Sequence, residues 1–170
     1  LGEVAGFIVC AKSPSCGMER VRLYDEKGNR GRKEGTGLFT RALMEAYPWL
    51  PVEEDGRLHD PQLRENFVER LFALHELNTL RANGLTRRGL LDFHSRYKLQ
   101  LLAHHQAGYR EIGPFVASMH QWQDLDAFFV AYRDKLMAIL KNTASRKNHT
   151  NVLMHIQGYF RERLNSRQRG

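Results

Sequence analysis

The apolar positions of the chain change their spacing near residue 60. Val4-Ala5-Gly6-Phe7-Ile8-Val9-Cys10-Ala11 is a nearly unbroken apolar run with β-branched and aromatic members, and it predicts a buried strand over residues 4–11. Val21-Arg22-Leu23-Tyr24 alternates and predicts a short second strand. The stretch from Asp25 to Gly37, with four glycines and mixed charge, predicts a flexible loop. Thr36 then stands as the cap of a helix carrying Leu38, Phe39, Ala42, Leu43 and Ala46. That helix stops at Tyr47-Pro48, because proline disfavours the helical conformation of the residue before it. Leu50-Pro51-Val52 predicts a last strand and continues a strand–helix alternation.

Beyond residue 60 the spacing is helical throughout. Asp60-Pro61 combines an N-cap aspartate with proline at the first helical position. The helix it opens places Leu63, Phe67, Leu71, Leu74 and Leu77 on one face and ends at Asn83-Gly84. Thr86 caps a helix through Leu90, Leu91, Tyr97, Leu101 and Leu102, and a shorter helix runs near 106–118. Asp124 or Asp126 opens a long one with Phe128, Phe129, Tyr132, Leu136, Ile139 and Leu140. Thr150 begins the last, through Val152, Leu153, Ile156, Tyr159, Phe160 and Leu164, and the polar tail Asn165–Gly170 reads as frayed. The expected fold class is therefore mixed: a small α/β remnant over 1–59, a connecting helix over 60–84 and an all-α helical bundle over 85–170.

Composition narrows the setting. The 170 residues hold two cysteines, Cys10 and Cys16, too few for a disulfide scaffold, so a reducing cytoplasm is the expected location. No apolar run approaches the ~20 residues of a membrane span, and no membrane partner is expected. The chain opens on Leu1, close to its own first strand, and reads as a fragment of something longer. The net charge of +7 is uneven. Residues 1–85 carry 12 Lys+Arg against 13 Asp+Glu, and residues 86–170 carry 14 against 6. The second half is thus either a solvated basic face or a surface for an anionic partner, a nucleotide-like anion or nucleic acid. No named nucleic-acid motif accompanies the charge.

The candidate chemistry starts at Ser13-Pro14-Ser15-Cys16-Gly17, directly behind the first apolar run. A small-residue loop at the carboxyl edge of a sheet can present a thiolate to a metal, a cluster or a substrate; equally, a free cysteine can be a small buried hydrophobe. Cys10, on the strand itself, is expected to be core.

Lys12-Ser13-Pro14-Ser15-Cys16-Gly17, then Arg22-Leu23-Tyr24-Asp25 and Gly35-Thr36-Gly37-Leu38-Phe39, resembles the C-terminal part of the thiouracil desulfidase (TudS) family over about residues 2–52. The resemblance implies a [4Fe–4S] cluster held by three cysteines, its fourth iron open to act as a Lewis acid on the sulfur of a thiolated nucleobase. It implies Cys16 as one cluster ligand and Ser13 as a catalytic group beside the substrate. The family's other two cysteines and a catalytic acid lie upstream of this match. One thiolate does not hold a cluster, so the chain by itself is expected to be inactive and the parent protein to be the desulfidase.

Phe93-His94-Ser95-Arg96-Tyr97-Lys98, Leu102-Ala103-His104 and the run from Asn148 to Phe160 resemble a second family, the YbgA-like helical domain of uncharacterised function, over about residues 85–165. Its C-terminal portion is expected to be missing. His94 and Lys98 share a helix face, and Asn151, His155 and Gly158 form a second stripe with Asn148 and Glu162 at its ends. Facing each other, these stripes would make a buried polar site, with Gly158 allowing close approach. The alternative is a set of core histidines that fix helix packing. The expected ligand or anion site accordingly comprises His94, Arg96, Lys98, His104, Arg146, Lys147, His149, Asn151 and His155. Arg146-Lys147 and His149 stand near a helix start, where free N–H groups favour phosphate.

Overall fold

The structure, a computed structural model, describes residues 4–28 and 30–160. The expected frayed tail Asn165–Gly170, together with Glu162 and Leu164 of the last predicted helix, lies outside the described residues. The fold class is as the apolar spacing indicates: a small α/β unit followed by helices.

Strand β1, Phe7–Val9, is shorter than the predicted run and pairs in parallel with β4, Val52–Glu54, in the register Phe7 with Val52 and Val9 with Glu54. Parallel neighbours need a crossover, and here it contains a loop, a hairpin and helix α1, Leu38–Ala46. The hairpin corrects the expected flexible loop over 25–37. Strand β2, Val21–Tyr24, pairs antiparallel with β3, Arg30–Gly35, in an irregular register. Asp25 closes the turn by accepting the Lys27 N–H on its carboxylate and the Gly28 N–H on its carbonyl, with Gly28 at φ 76°. Strand β3 reads Arg-Gly-Arg-Lys-Glu-Gly and has no apolar alternation to announce it.

The helices follow their caps. Asp60 accepts from the Gln62 and Leu63 N–H groups at the start of α2, Pro61–Ala82, and the Thr86 hydroxyl accepts from Gly89 at the start of α3, Arg87–His104. His105 caps α4, Gln106–Ala117, through its Nδ1, and Asp124 caps α5, Leu125–Leu140. The last helix, α6, runs Arg146–Tyr159 and starts four residues before the expected Thr150. Ser145 is the cap, accepting from the Asn148 N–H, whereas the Thr150 hydroxyl donates to the Arg146 carbonyl inside the helix.

Helix α2 is more than a connector. On one side β1 lies against it: a Cβ on Gly6 would stand 3.2 Å from Leu71 Cδ1 and 3.3 Å from Phe67 Cζ. On the other side α2 packs on α5 and α3, and α4 closes over both of these. Val9, Leu43, Leu50 and Val52 of the α/β unit join Leu74, Leu77, Phe93, Phe128, Tyr132 and Leu136 in one continuous buried cluster. The Arg133 guanidinium of α5 stacks 4.0 Å above the Trp49 ring, a second tie between the two parts. Among the described residues no helix is long and apolar enough to cross a membrane.

Candidate functional site

The Ser-Pro-Ser-Cys-Gly loop leaves the carboxyl end of β1 and is held at both ends. Lys12 (φ 64°) and Arg20 (φ 56°) both adopt the left-handed conformation, which costs a side-chain-bearing residue on the order of 1 kcal/mol and persists only where surroundings enforce it. The Ser13 hydroxyl oxygen accepts the N–H groups of Ser15 at 3.3 Å and Cys16 at 3.2 Å, and the Ser13 carbonyl accepts from Gly17 at 2.8 Å. Glu54, buried at the end of β4, accepts the Met18 and Glu19 N–H groups on one carboxylate oxygen.

The first turn of α1 completes the clamp. Gly37, Leu38 and Phe39 donate their N–H groups to the carbonyls of Gly17, Pro14 and Ser15 at 2.7, 3.2 and 2.9 Å. A helix start leaves such donors free, and here the loop consumes them in place of the expected Thr36 cap. Gly37 is required by proximity, since a Cβ there would lie 2.5 Å from the Ser15 carbonyl carbon and oxygen. The fully buried Thr40 donates its hydroxyl to the Cys16 carbonyl at 2.5 Å. The Cys16 backbone is thus bonded on both its N–H and its C=O, while its side chain stays half-buried beside the core.

Cys10 corrects its expectation: it is exposed at the end of β1, its neighbour Val9 filling the buried position instead. The cluster implied by the resemblance finds one ligand here. Among the described residues no three His, Cys, Asp or Glu side chains come together to hold a metal, so these residues do not complete a cluster.

The helical candidates do not form one site. His94 is half-buried, with Nδ1 hydrogen-bonded to the Tyr132 hydroxyl at 3.1 Å; burial, then the nearby Lys98 charge, lowers its pKa from 6.5. Arg96 pairs with Glu76 on α2, and Lys98 is exposed. His104 is buried in a network of its own: Nε2 lies 2.9 Å from Glu69, and Nδ1 donates to the Asn142 carbonyl at 2.5 Å. The buried Asn66 amide donates to the Leu140 carbonyl at 2.9 Å and to the Asn142 carbonyl at 3.3 Å. This network caps the carbonyl end of α5 and locks it to α2 and α3.

The expected buried site between two polar stripes is not formed. No residue of α6 is buried; Arg146, Lys147, His149 and His155 are exposed, Asn151 is half-exposed, and nothing lies within 4 Å of a Cβ on Gly158. Helix α6 packs on α3 through its first turns, where Asn148 donates to the Ala103 carbonyl at 2.7 Å. The basic excess is also partly spent locally, with Arg88, Arg96 and Arg133 in pairs with carboxylates.

Sequence reasoning missed a cleft between the α/β unit and α2. Its cavity, about 360 Å³, is walled by Met18, Met44, Tyr47 and Leu63, with Arg57, Arg70 and Lys141 supplying positive charge. Arg57 bridges Glu53 at 2.6 Å and Glu19 at 2.7 Å. The available signal was Arg70 itself, an arginine set among the apolar positions Phe67, Leu71 and Leu74 of an amphipathic helix.

No solved structure matches the chain. The uncharacterized protein YbgA of Escherichia coli (strain K12) is 56% identical over 100 residues, which is 59% of this chain and 59% of that relative. Residues 1–55 match the family model of 2-thiouracil desulfurase, and residues 98–170 match that of DUF1722, a protein family of unknown function. The chain therefore joins a segment similar to the 2-thiouracil desulfurases to a YbgA-like helical segment similar to the DUF1722 proteins.

Proposed function

We propose that this chain is part of an iron–sulfur-dependent desulfidase acting on thiolated pyrimidines such as 2-thiouracil, with the helical bundle as its accessory domain. The observation that supports this reading best is the clamp on the loop. Both backbone polar groups of Cys16 are bonded, two left-handed residues bracket the segment, and the cap residue Gly37 and the first two residues of α1 spend their N–H groups on loop carbonyls. Such fixing suits a thiolate that must meet a ligand geometry without reorganising, because precise positioning of ligands depends on the shell behind them.

In this reading Cys16 gives one cluster ligand, and the others come from protein beyond the described residues. Ser13 accepts two N–H groups on its oxygen, which leaves its own proton free to be donated to the substrate. The net reaction exchanges the thiocarbonyl sulfur for an oxygen from water and releases sulfide.

The test is sulfide release from 2-thiouracil by the full-length protein prepared without oxygen. The proposal expects uracil and sulfide in equal amounts, and loss of both with Cys16→Ser. Absence of sulfide from a preparation loaded with iron and sulfide would overturn it.

A further inference from the structure

Arg70 carries one of two buried side-chain nitrogens among the described residues, with Asn78 Nδ2, that have no hydrogen-bond partner, and it is the charged one. It is 8% exposed, yet its Nε has no hydrogen-bond partner, and no carboxylate of the described residues lies within ion-pair distance of it. A buried guanidinium left bare loses hydration with nothing in return, so such groups are found paired or facing a ligand. The acids nearby do not answer it. Glu53 accepts from Arg57 Nε and from the Glu54 N–H on the same oxygen, and Glu19 is also held by Arg57. Burial pushes the Arg70 pKa down, and only the field of Glu53 acts against that.

Charge on the cavity wall points the same way. Glu19 and Glu53 face Arg57, Arg70 and Lys141, so the lining carries one net positive charge. The remaining wall combines the apolar and aromatic side chains of Met18, Met44, Tyr47 and Leu63 with the polar Asn66 and Thr143. About 360 Å³ suits a ligand of small-molecule size.

We propose that the cleft between the α/β unit and α2 binds a small organic anion, its carboxylate or phosphate on the Arg70 guanidinium and its compact apolar body against Met44 and Tyr47. A planar fork of N–H donors recognises both oxyanions, and does so most strongly when desolvated. Lys141, exposed at the rim, adds charge at the mouth. This site needs no iron and does not rest on the desulfidase reading.

The probes are benzoate, phenyl phosphate and inorganic phosphate, titrated calorimetrically and by thermal shift into this 170-residue chain at low salt. Benzoate or phenyl phosphate is expected to bind one per chain and to raise the melting temperature. The stronger of the two identifies the carboxylate or the phosphate class, and weaker inorganic phosphate shows that the apolar wall contributes. Arg70→Leu is expected to weaken binding at least about tenfold, and Lys141→Ala several-fold. Arg88→Leu, which removes an exposed cation elsewhere, leaves binding unchanged. If Arg70→Leu does not fold, Lys141→Ala against Arg88→Leu decides. Absence of heat and thermal shift with all three probes in the wild-type chain, or equal binding in the Arg70 and Arg88 variants, would overturn the proposal.

Discussion

At the scale of single residues, the loop around Cys16 depends on atoms that look dispensable. Ser13→Ala removes the acceptor of two backbone N–H groups, and a cost of about 0.5–1.5 kcal/mol is expected in denaturant unfolding. Ser13→Thr keeps the oxygen and should cost less. Gly37→Ala forces a methyl group onto the Ser15 carbonyl and should cost ~1–3 kcal/mol, with faster alkylation of Cys16 as the loop loosens. His94 makes a pH prediction with a definite sign. Its pKa is lowered in the folded state, so the unfolded chain binds more protons below pH 6.5. Its contribution is neutral above that pH and turns destabilising as the pH falls. His94→Gln should flatten the stability profile below pH 6.5 relative to wild type; parallel profiles would contradict the assignment.

At the scale of elements, the helices were legible and the polar strand was not. Asp60-Pro61, Thr86 and Asp124 announce α2, α3 and α5 because each places an acceptor one residue before an apolar periodic run. Strand β3 has no apolar alternation to reveal it and is exposed from Gly31 to Glu34, and its pairing is fixed by the Gly28 turn instead. Helix α6 misled in the opposite direction. Its Asn151, His155 and Gly158 do share a face, but sequence spacing gives the face and not the neighbour, and none of these residues is buried. The polar side chains that fix helix packing are Asn66 and His104, one of them unnoticed in the sequence because an asparagine in an amphipathic helix carries no mark of the carbonyls it will meet. Asn66→Ala should cost about 1–3 kcal/mol, since it strips the Leu140 carbonyl of a buried donor. Hydrogen exchange should find α5, rich in buried side chains, better protected than α6.

At the scale of the whole molecule, the two segments that match different families share one core. Val9, Leu43, Leu50 and Val52 are continuous with the buried residues of α2, α3 and α5, and Gly6 brings β1 onto Phe67 and Leu71. Unfolding followed by tryptophan fluorescence, which samples Trp49 and Trp122, and by helical circular dichroism should therefore give coincident transitions. The Cys16 loop was the most legible part of the site, because its residues are contiguous; the Arg70 cleft was not, because Met18, Tyr47, Arg57, Arg70 and Lys141 meet only in the folded chain. The central claim, that this loop presents Cys16 as a cluster ligand, is tested most directly by iron content. In the full-length protein purified without oxygen, wild type and Cys10→Ser should both retain about four irons per chain, and Cys16→Ser should lose the cluster or hold it poorly. Equal iron in the Cys10 and Cys16 variants would contradict the account.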